Sequence, residues 1–158
     1  MLGIVRENCD VPTDAALLFA GLAGSWAQTR VITPGGAYVG QASFAPHGAG
    51  ILRYSENGII TLAGGGRLQA SRRYAFKLEA GRIAVYFEEA PPRLFHVLQF
   101  KPGTGTETSM IAVAEHRCGD DGYHSTYAMH APDHFTVTHR VAGPRKGYVM
   151  TTDYRRIG

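Results

Sequence analysis

The sequence has little of what marks disulfide-rich, zinc-binding or nucleic-acid-binding proteins. It contains two cysteines in 158 residues, Cys9 and Cys118, and no CxxC pair. A disulfide framework is therefore not expected, and a reduced, cytoplasmic setting fits best. The 16 lysines and arginines are scattered, without a basic run of the kind that binds nucleic acid. At a net charge of +3, we expect them to meet an anionic small molecule or only water.

Long hydrophobic runs are also missing. The one candidate, AALLFAGLAG at residues 15–24, is too short to span a membrane. Acidic residues outnumber the lone Arg6 before it, so it lacks the positive region of a signal peptide. We expect a short helix over about residues 14–22 that packs on the domain, and no membrane partner.

Glycine and aromatic residues are plentiful, and they favour short strands joined by tight turns. About ten or eleven strands follow the helix at even spacing, without a linker or repeat, so residues 1–158 are predicted to form one domain. Asn57-Gly58, a common hairpin dipeptide, predicts a turn between ILRYSE and IITLA. Because closure removes open strand edges, we predict a closed, antiparallel up-and-down β-barrel of about 8–11 strands over about residues 24–156, with a cavity for one ligand.

Two sequence patterns resemble a known group of proteins. Gly24-Ser25-Trp26, directly after the helix, resembles the G-x-W signature of lipocalins and the wider calycin group. That resemblance implies that Trp26 closes one barrel end and that Arg155 or Arg156 lies against it. HRCGDDGY and VAGPRKGY, with the spacings H-x-C-x-x-D-x-Y and V-x-G-P-x-K-x-Y, resemble a lipocalin-like family of unknown function. The likeness covers nearly the whole chain and implies a fold but no reaction.

The run EHRCGDDGYHSTY at residues 115–127 concentrates polar chemistry. We predict a hairpin with the four-residue loop GDDG, in which Cys118 faces Tyr123 and His116 faces Ser125. One face of this hairpin is expected to point inward, and it carries His116, Cys118, Tyr123, Ser125, Tyr127, Ala112 and Met129. The other face is expected to meet solvent, and it carries Glu115, Arg117, His124, Thr126 and His130.

The inward face allows more than one chemistry. His116 and Cys118 lie about 7 Å apart along a strand, and no further ligand is indicated by spacing, so no metal site or cofactor is assigned. Haem binding through His96 or His116 stays a lesser alternative. Acid–base catalysis of the isomerase or lyase type, by His116 with Tyr123 or Tyr127, is the stronger enzymatic hypothesis. Alternatively, these side chains bond to one another and only shape a pocket.

Arginine supplies the second clue. Arg72 falls mid-strand on the predicted inward face, and a buried arginine needs an anion or several acceptors. Glu56 or Asp121 could be that partner, or it could be a carboxylate or phosphate of a ligand. Arg53 is a further candidate, although its direction stays open. The predicted ligand-binding residues are Arg53, Arg72, Tyr74, His96, Cys118, Tyr127 and Tyr148.

These observations favour an intracellular protein that binds a small, partly apolar, anionic molecule in the barrel. The alternative is a cofactor-independent enzyme that uses His116 and Tyr123 in the same cavity. A third class, an interaction module with a filled barrel, would require packed inward positions. Nucleic-acid binding is not expected, because basic and aromatic residues do not interleave on one face. The protein is expected to be a monomer or homodimer.

Overall fold

The computed structural model describes residues 14–103, 105 and 107–158; Cys9 lies outside this part of the chain. In the described part, one helix, α1 (Asp14–Leu22), precedes eleven strands. The strands are β1 (Gly24–Thr33), β2 (Ala37–Pro46), β3 (Ile51–Thr61), β4 (Arg67–Glu79), β5 (Arg82–Phe87), β6 (Arg93–Leu98), β7 (Lys101–Pro102), β8 (Met110–Cys118), β9 (Asp121–Ala131), β10 (His134–Ala142) and β11 (Gly147–Arg156).

All eleven strands belong to one antiparallel sheet in the order β6-β5-β4-β3-β2-β1-β11-β10-β9-β8-β7. Successive side chains of a strand point to opposite faces, so burial alternates. In β1, for example, Trp26, Gln28 and Arg30 are buried while their neighbours are exposed. The predicted mainly-β, up-and-down architecture with a short leading helix is confirmed.

The sheet curls into a half-barrel and stays open, so the predicted closure is wrong. β6 and β7 are its edges, and β6 lies beside β8 without a hydrogen-bonded ladder between them in the described residues. The short β7 explains this, because two residues that end in Pro102, which has no N–H, offer too little backbone to bridge the gap. A side-chain bond crosses the gap instead: His96 Nε2 on β6 lies 3.0 Å from the Tyr127 hydroxyl on β9.

The predicted hairpin at Asn57-Gly58 is also wrong, because β3 runs unbroken through both residues. Gly58 pairs with Gly40 of β2, and the ring of Tyr38 lies over this glycine pair. A Cβ atom at either glycine would come closer than 3.0 Å to the Tyr38 ring. Gly58 therefore permits a close approach within a strand, the other common role of a strand glycine.

The end of the half-barrel nearest α1 is covered. Trp26 donates from Nε1 to the carbonyl of Leu22, 2.9 Å away. Arg156, one of the two arginines expected there, lies with its guanidinium carbon 4.3 Å from the centroid of the Trp26 ring. It also donates to the carbonyls of Ala23, at 2.9 Å, and Gly21. The opposite end of the half-barrel is open to solvent through a cleft whose lining includes His116 and Tyr148. Among the described residues, no helix has the length and apolar character needed to cross a membrane.

Candidate functional site

The β8–β9 hairpin places the polar run of residues 115–127 on the inner face. Its turn consists of residues 119–120 only, and Cys118 faces Asp121 while His116 faces Tyr123. The predicted four-residue loop is therefore wrong: the φ of 63° at the first turn residue permits a two-residue connection. Each strand partner is displaced by two residues, which leaves every side chain on its predicted face.

Within the described part of the chain, the interior of the half-barrel contains a deep chamber and an outer cleft. The deep chamber, near α1, has a volume of about 30 Å³ and is lined by apolar residues such as Leu22 and Phe135 together with Arg30 and Glu56. One water needs roughly 10–15 Å³ by this measure, so the chamber has room for about two waters. The outer cleft, at the accessible end, has a volume of about 390 Å³. Its lining residues are Arg72, Arg73, Tyr74, Phe87, Arg93, Phe95, His116, Cys118, Tyr123, His139, Tyr148 and Met150.

A buried ion pair lies in the wall of the deep chamber. Arg30 Nη2 is 3.0 and 3.1 Å from the two carboxylate oxygens of Glu56, and the two residues are only 6% and 3% exposed. Arg30 Nε also donates to Thr152 Oγ1 at 2.6 Å. Gln28, at 3.0 Å, and the Tyr54 hydroxyl donate to the same carboxylate. Burial opposes ionisation of Glu56, but the hydrogen bond and charge of Arg30 outweigh it and hold the carboxyl pKa below its usual value.

Arg72 lies at the junction of the two compartments, since Arg72, Tyr74 and His139 line both. It is directly opposite Glu56 in the β3–β4 register. Neither carboxylate considered from the sequence pairs with it, because Glu56 is bound to Arg30, and Asp121 lies 3.4 Å from Lys146 Nζ. Among the described residues, no carboxylate forms a direct ion pair with Arg72, whose Nη2 lies 4.0 Å from Met150 Sδ. Burial opposes its charge, but Tyr74 and the nearby charge of Glu56 outweigh it and raise the pKa of Arg72. Its side chain reaches solvent through the outer cleft.

His139 is a site residue that the sequence reasoning missed. It lies on the inner face of β10, two residues from both Val137 and Val141, and this alternation was the available signal. Its Nδ1 is 2.7 Å from Ser125 Oγ. Burial, together with the positive charge of nearby Arg72, lowers the pKa of His139 to about 4. The imidazole is therefore neutral at pH 7.

His96 and Tyr127 lie deeper than the cleft residues. His96 is buried, and its Nδ1 has no hydrogen-bond partner within the described residues. Burial, with His139 and His116 nearby, lowers the pKa of His96 to about 3, so this ring is also neutral at pH 7. Tyr127 is buried and lines the deep chamber, and burial raises the pKa of its hydroxyl well above the usual value.

The structure brings most of the predicted site residues together. His116, Cys118, Tyr123 and Tyr148 line the outer cleft with Arg72 and Tyr74. Arg53 does not join them. It lies exposed on the outer face and forms an ion pair with Glu88, so we leave it out of the proposed site.

The charges and rings of the outer cleft are unevenly distributed. The lysine, arginine and carboxylate side chains in its lining are all arginines: Arg72, Arg73 and Arg93. Arg93 Nε bonds to Glu89 at 2.8 Å, outside the lining. The ring-bearing residues are Tyr74, Phe87, Phe95, His116, Tyr123, His139 and Tyr148. Within the described residues, no three His, Cys, Asp or Glu side chains are placed to hold one metal ion. The cleft thus combines positive charge with aromatic walls.

The comparisons with known proteins identify first a type of fold and then a family. The S-type phycobiliprotein lyase CPES from Guillardia theta has a similar fold, with a TM-score of 0.62 and 10% identity over 90% of this chain and 92% of that chain. The redesigned β-barrel mFAP1, solved with bound DFHBI, gives a TM-score of 0.47 and 14% identity over 88% of this chain and 98% of that chain. A fluorescence-activating β-barrel designed de novo gives a TM-score of 0.48 and 12% identity over 87% of this chain and 95% of that chain.

Residues 22–156 match the model of DUF6314, a family of unknown function, and the chain belongs to this family. No curated protein matches the sequence. These findings agree with the predicted membership of a barrel family of unknown function. The likeness to the lyase shows the fold alone.

Proposed function

We propose that this member of DUF6314 is a cytoplasmic protein that binds a small, partly apolar, anionic molecule in the outer cleft. The observation that carries the proposal is the position of Arg72, a permanent cation at the inner end of a cleft, without a carboxylate partner among the described residues. A guanidinium group binds carboxylate or phosphate oxygens with two parallel hydrogen bonds. An anionic ligand would therefore complete a pairing that the chain leaves open.

The rest of the cleft supports an organic anion in preference to a free inorganic ion. Its volume of about 390 Å³ falls within the range of small-molecule sites. Phe87 and Phe95 provide apolar contact area, with ring centroids 4.8 Å apart. This accessible volume also argues against an interaction module with a filled barrel.

Fluorescent probes of matched shape test the proposal. Anilinonaphthalene sulfonate is an aromatic anion, and phenylnaphthylamine is its uncharged counterpart. We expect the anion to bind the wild-type protein at least about tenfold more tightly than the neutral probe. Arg72→Leu should remove this preference, because a hydrogen bond to a charged group is worth roughly 1.5–3 kcal/mol. The variant should bind the neutral probe with an affinity within about twofold of the wild-type value.

Arg67→Leu is the matched control. Arg67 belongs to the same strand but lies exposed on the outer face, opposite Thr61 of β3. The Arg67→Leu protein should retain the full preference for the anionic probe. If Arg67→Leu and Arg72→Leu weakened anion binding equally, the preference would come from the general positive charge, and the assigned role of Arg72 would be wrong.

A second candidate function is acid–base catalysis in the same cleft. His116 and Tyr123 are direct cross-strand partners, with ring centroids 6.2 Å apart, and both line the cleft. A small keto acid placed between them could exchange a proton with either side chain. Ketonisation of phenylpyruvate, followed by absorbance, is a suitable first assay. If the His116→Ala variant binds phenylpyruvate but no longer turns it over, the result supports the enzyme hypothesis. If the variant loses only affinity for phenylpyruvate, the result supports the binding-protein hypothesis.

Haem or metal binding through His96 or His116 is a lesser candidate. A porphyrin is far larger than the deep chamber, and His96 is buried without lining the outer cleft. His96 therefore does not fit as a haem ligand, which leaves His116 at the cleft. Addition of haemin should give a Soret shift that His116→Ala abolishes if this candidate is correct.

A further inference from the structure

We infer that the ligand of the outer cleft is a compact aromatic acid and not a long-chain fatty acid, an inference that rests on the proposed function. Its ring system occupies the cleft, and its carboxylate meets Arg72 and His139 at the inner end. Three observations support this: the division of the interior volume, the character of the cleft walls and the polar groups at the junction.

The deep chamber beyond the junction is too small to hold a long alkyl chain. The cleft holds about 390 Å³, but the chamber beyond Arg72, Tyr74 and His139 holds only about 30 Å³. That chamber has room for about two waters, and Arg30 and Glu56 make part of its wall polar. A fatty acid whose carboxylate met Arg72 would therefore have its chain in the cleft and beyond it in solvent, without an enclosed apolar channel. A compact molecule fits in the cleft alone.

The walls of the cleft favour rings. Tyr74 and Phe95 are stacked, with centroids 5.8 Å apart and planes inclined by 24°. His116 meets Phe95 edge-on, at 5.3 Å and 87°. The guanidinium carbon of Arg93 lies 4.2 Å from the centroid of the Phe87 ring. Offset-stacked, edge-to-face and cation–π contacts are the arrangements that a further aromatic ring would extend, and a flexible alkyl chain gains none of them.

The junction supplies the polar end of the site. Arg72, on β4, brings a positive charge, and His139, on β10, lines both compartments together with it. Nδ1 of His139 is paired with the Ser125 hydroxyl at 2.7 Å, and Nε2 has no hydrogen-bond partner in the part of the chain that the structure describes. With the hydroxyl donating to Nδ1, the neutral ring carries its proton on Nε2. One carboxylate can then accept hydrogen bonds from both Arg72 and His139.

Displacement of anilinonaphthalene sulfonate from the wild-type protein tests this class of ligand. Naphthoate and undecanoate carry the same charge and the same number of non-hydrogen atoms, but only naphthoate is aromatic. We expect naphthoate to displace the probe at a concentration at least about tenfold lower. Palmitate should displace it no better than undecanoate, since the chamber beyond the junction holds only about 30 Å³ and the longer chain would extend into solvent.

The outcomes separate this inference from the proposed function. Equal or better displacement by undecanoate would overturn the aromatic class and leave anion binding intact. Equal displacement by naphthalenemethanol, the neutral analogue, would overturn anion recognition and leave aromatic recognition intact. Absence of probe binding would overturn both.

Variants provide the second readout. Phe87 and Tyr148 are half-buried side chains that line the cleft, and Phe87 also packs against the edge of the buried core. Phe87→Leu or Tyr148→Leu should reduce the advantage of naphthoate over undecanoate by at least about threefold while both acids stay preferred over the alcohol. Arg72→Leu should instead remove the preference for the acids over the alcohol and leave the advantage of naphthoate over undecanoate unchanged. An unchanged naphthoate advantage in both ring variants, with folding verified by circular dichroism, would contradict the inference.

Discussion

Two arginines inside the half-barrel, Arg30 and Arg72, belong to contrasting environments. Arg30 is 6% exposed and has a carboxylate, a threonine hydroxyl and the ring of Tyr38 around it, the last at 4.4 Å. Arg72 lies on the other side of the same carboxylate, Glu56, and remains accessible from the outer cleft. A charge removed from solvent needs a partner within the chain, whereas an accessible charge can take its partner from solution. We therefore assign the first arginine to the stability of the fold and propose the second for ligand binding.

The largest expected effect comes from breaking the buried pair. Glu56→Gln leaves the charge of Arg30 buried without its counterion. We expect a loss of about 3–5 kcal/mol in the free energy of unfolding, measured by urea denaturation. Arg30→Leu should cost a similar amount, because it leaves the Glu56 carboxylate unpaired.

Glu88→Gln is the control for this prediction. Glu88 forms an ion pair with Arg53 on the outer face, where solvent screens the charges. Its loss should cost less than about 1 kcal/mol. If Glu56→Gln proved as mild as Glu88→Gln, Arg30 would not depend on its internal partner, and the contrast between the two arginines would fail.

The next largest effect is a loss of stability in weak acid. Unfolded histidine takes up a proton near pH 6.5, whereas the folded-state pKa is about 3 for His96 and about 4 for His139. The unfolded state therefore binds more protons below pH 6.5, and stability falls as the pH decreases. Each histidine should account for about 1–2 kcal/mol between pH 7 and about pH 5. The contribution of Glu56, whose pKa lies below 4.5, begins at still lower pH.

Urea denaturation of His139→Gln at several pH values checks this. The glutamine amide can still bond to Ser125 but cannot take up a proton, so the variant should lose about half of the pH dependence. His124→Gln, at an exposed position on the outer face, should keep the wild-type dependence. If the free energy of unfolding of His139→Gln depended on pH as steeply as that of the wild type, burial of this ring would not couple folding to protonation.

The smallest expected effect on stability comes from removing Arg72, the accessible arginine. Arg72→Leu removes an accessible charge that forms no direct ion pair with a carboxylate of the described chain, so the free energy of unfolding should change by less than about 1 kcal/mol. Urea denaturation without ligand measures it. A loss as large as that of Arg30→Leu would show that Arg72 also serves the architecture.

The inward faces could be predicted from the sequence because they depend on a local alternation of period two. This rule assigned Arg72, Tyr74, His116 and Tyr123 to the interior without knowledge of strand pairing. It survived the wrong hairpin loop, since an error of two residues does not reverse a face. The same rule applies to His139, which was overlooked because no neighbouring motif drew attention to it.

Closure and charge pairing could not be predicted, since both depend on contacts between distant strands. The open edge follows from the shortness of β7, and the unbroken β3 follows from the packing of Tyr38 over Gly58. Arg30 and Glu56 are 26 residues apart, and only the β1–β2–β3 arrangement places them together. From the sequence, Glu56 was a possible partner of Arg72; in the structure, the Glu56 carboxylate pairs with Arg30.

The most direct test of the central claim is a crystal structure of the protein grown with naphthoate. The account predicts a carboxylate oxygen within about 2.7–3.2 Å of the Arg72 guanidinium group, with the rings in the outer cleft and the Arg30–Glu56 pair undisturbed. A carboxylate bound at Arg73 or Arg93, with Arg72 left to water, would contradict it. So would a carboxylate that displaces Glu56 from Arg30.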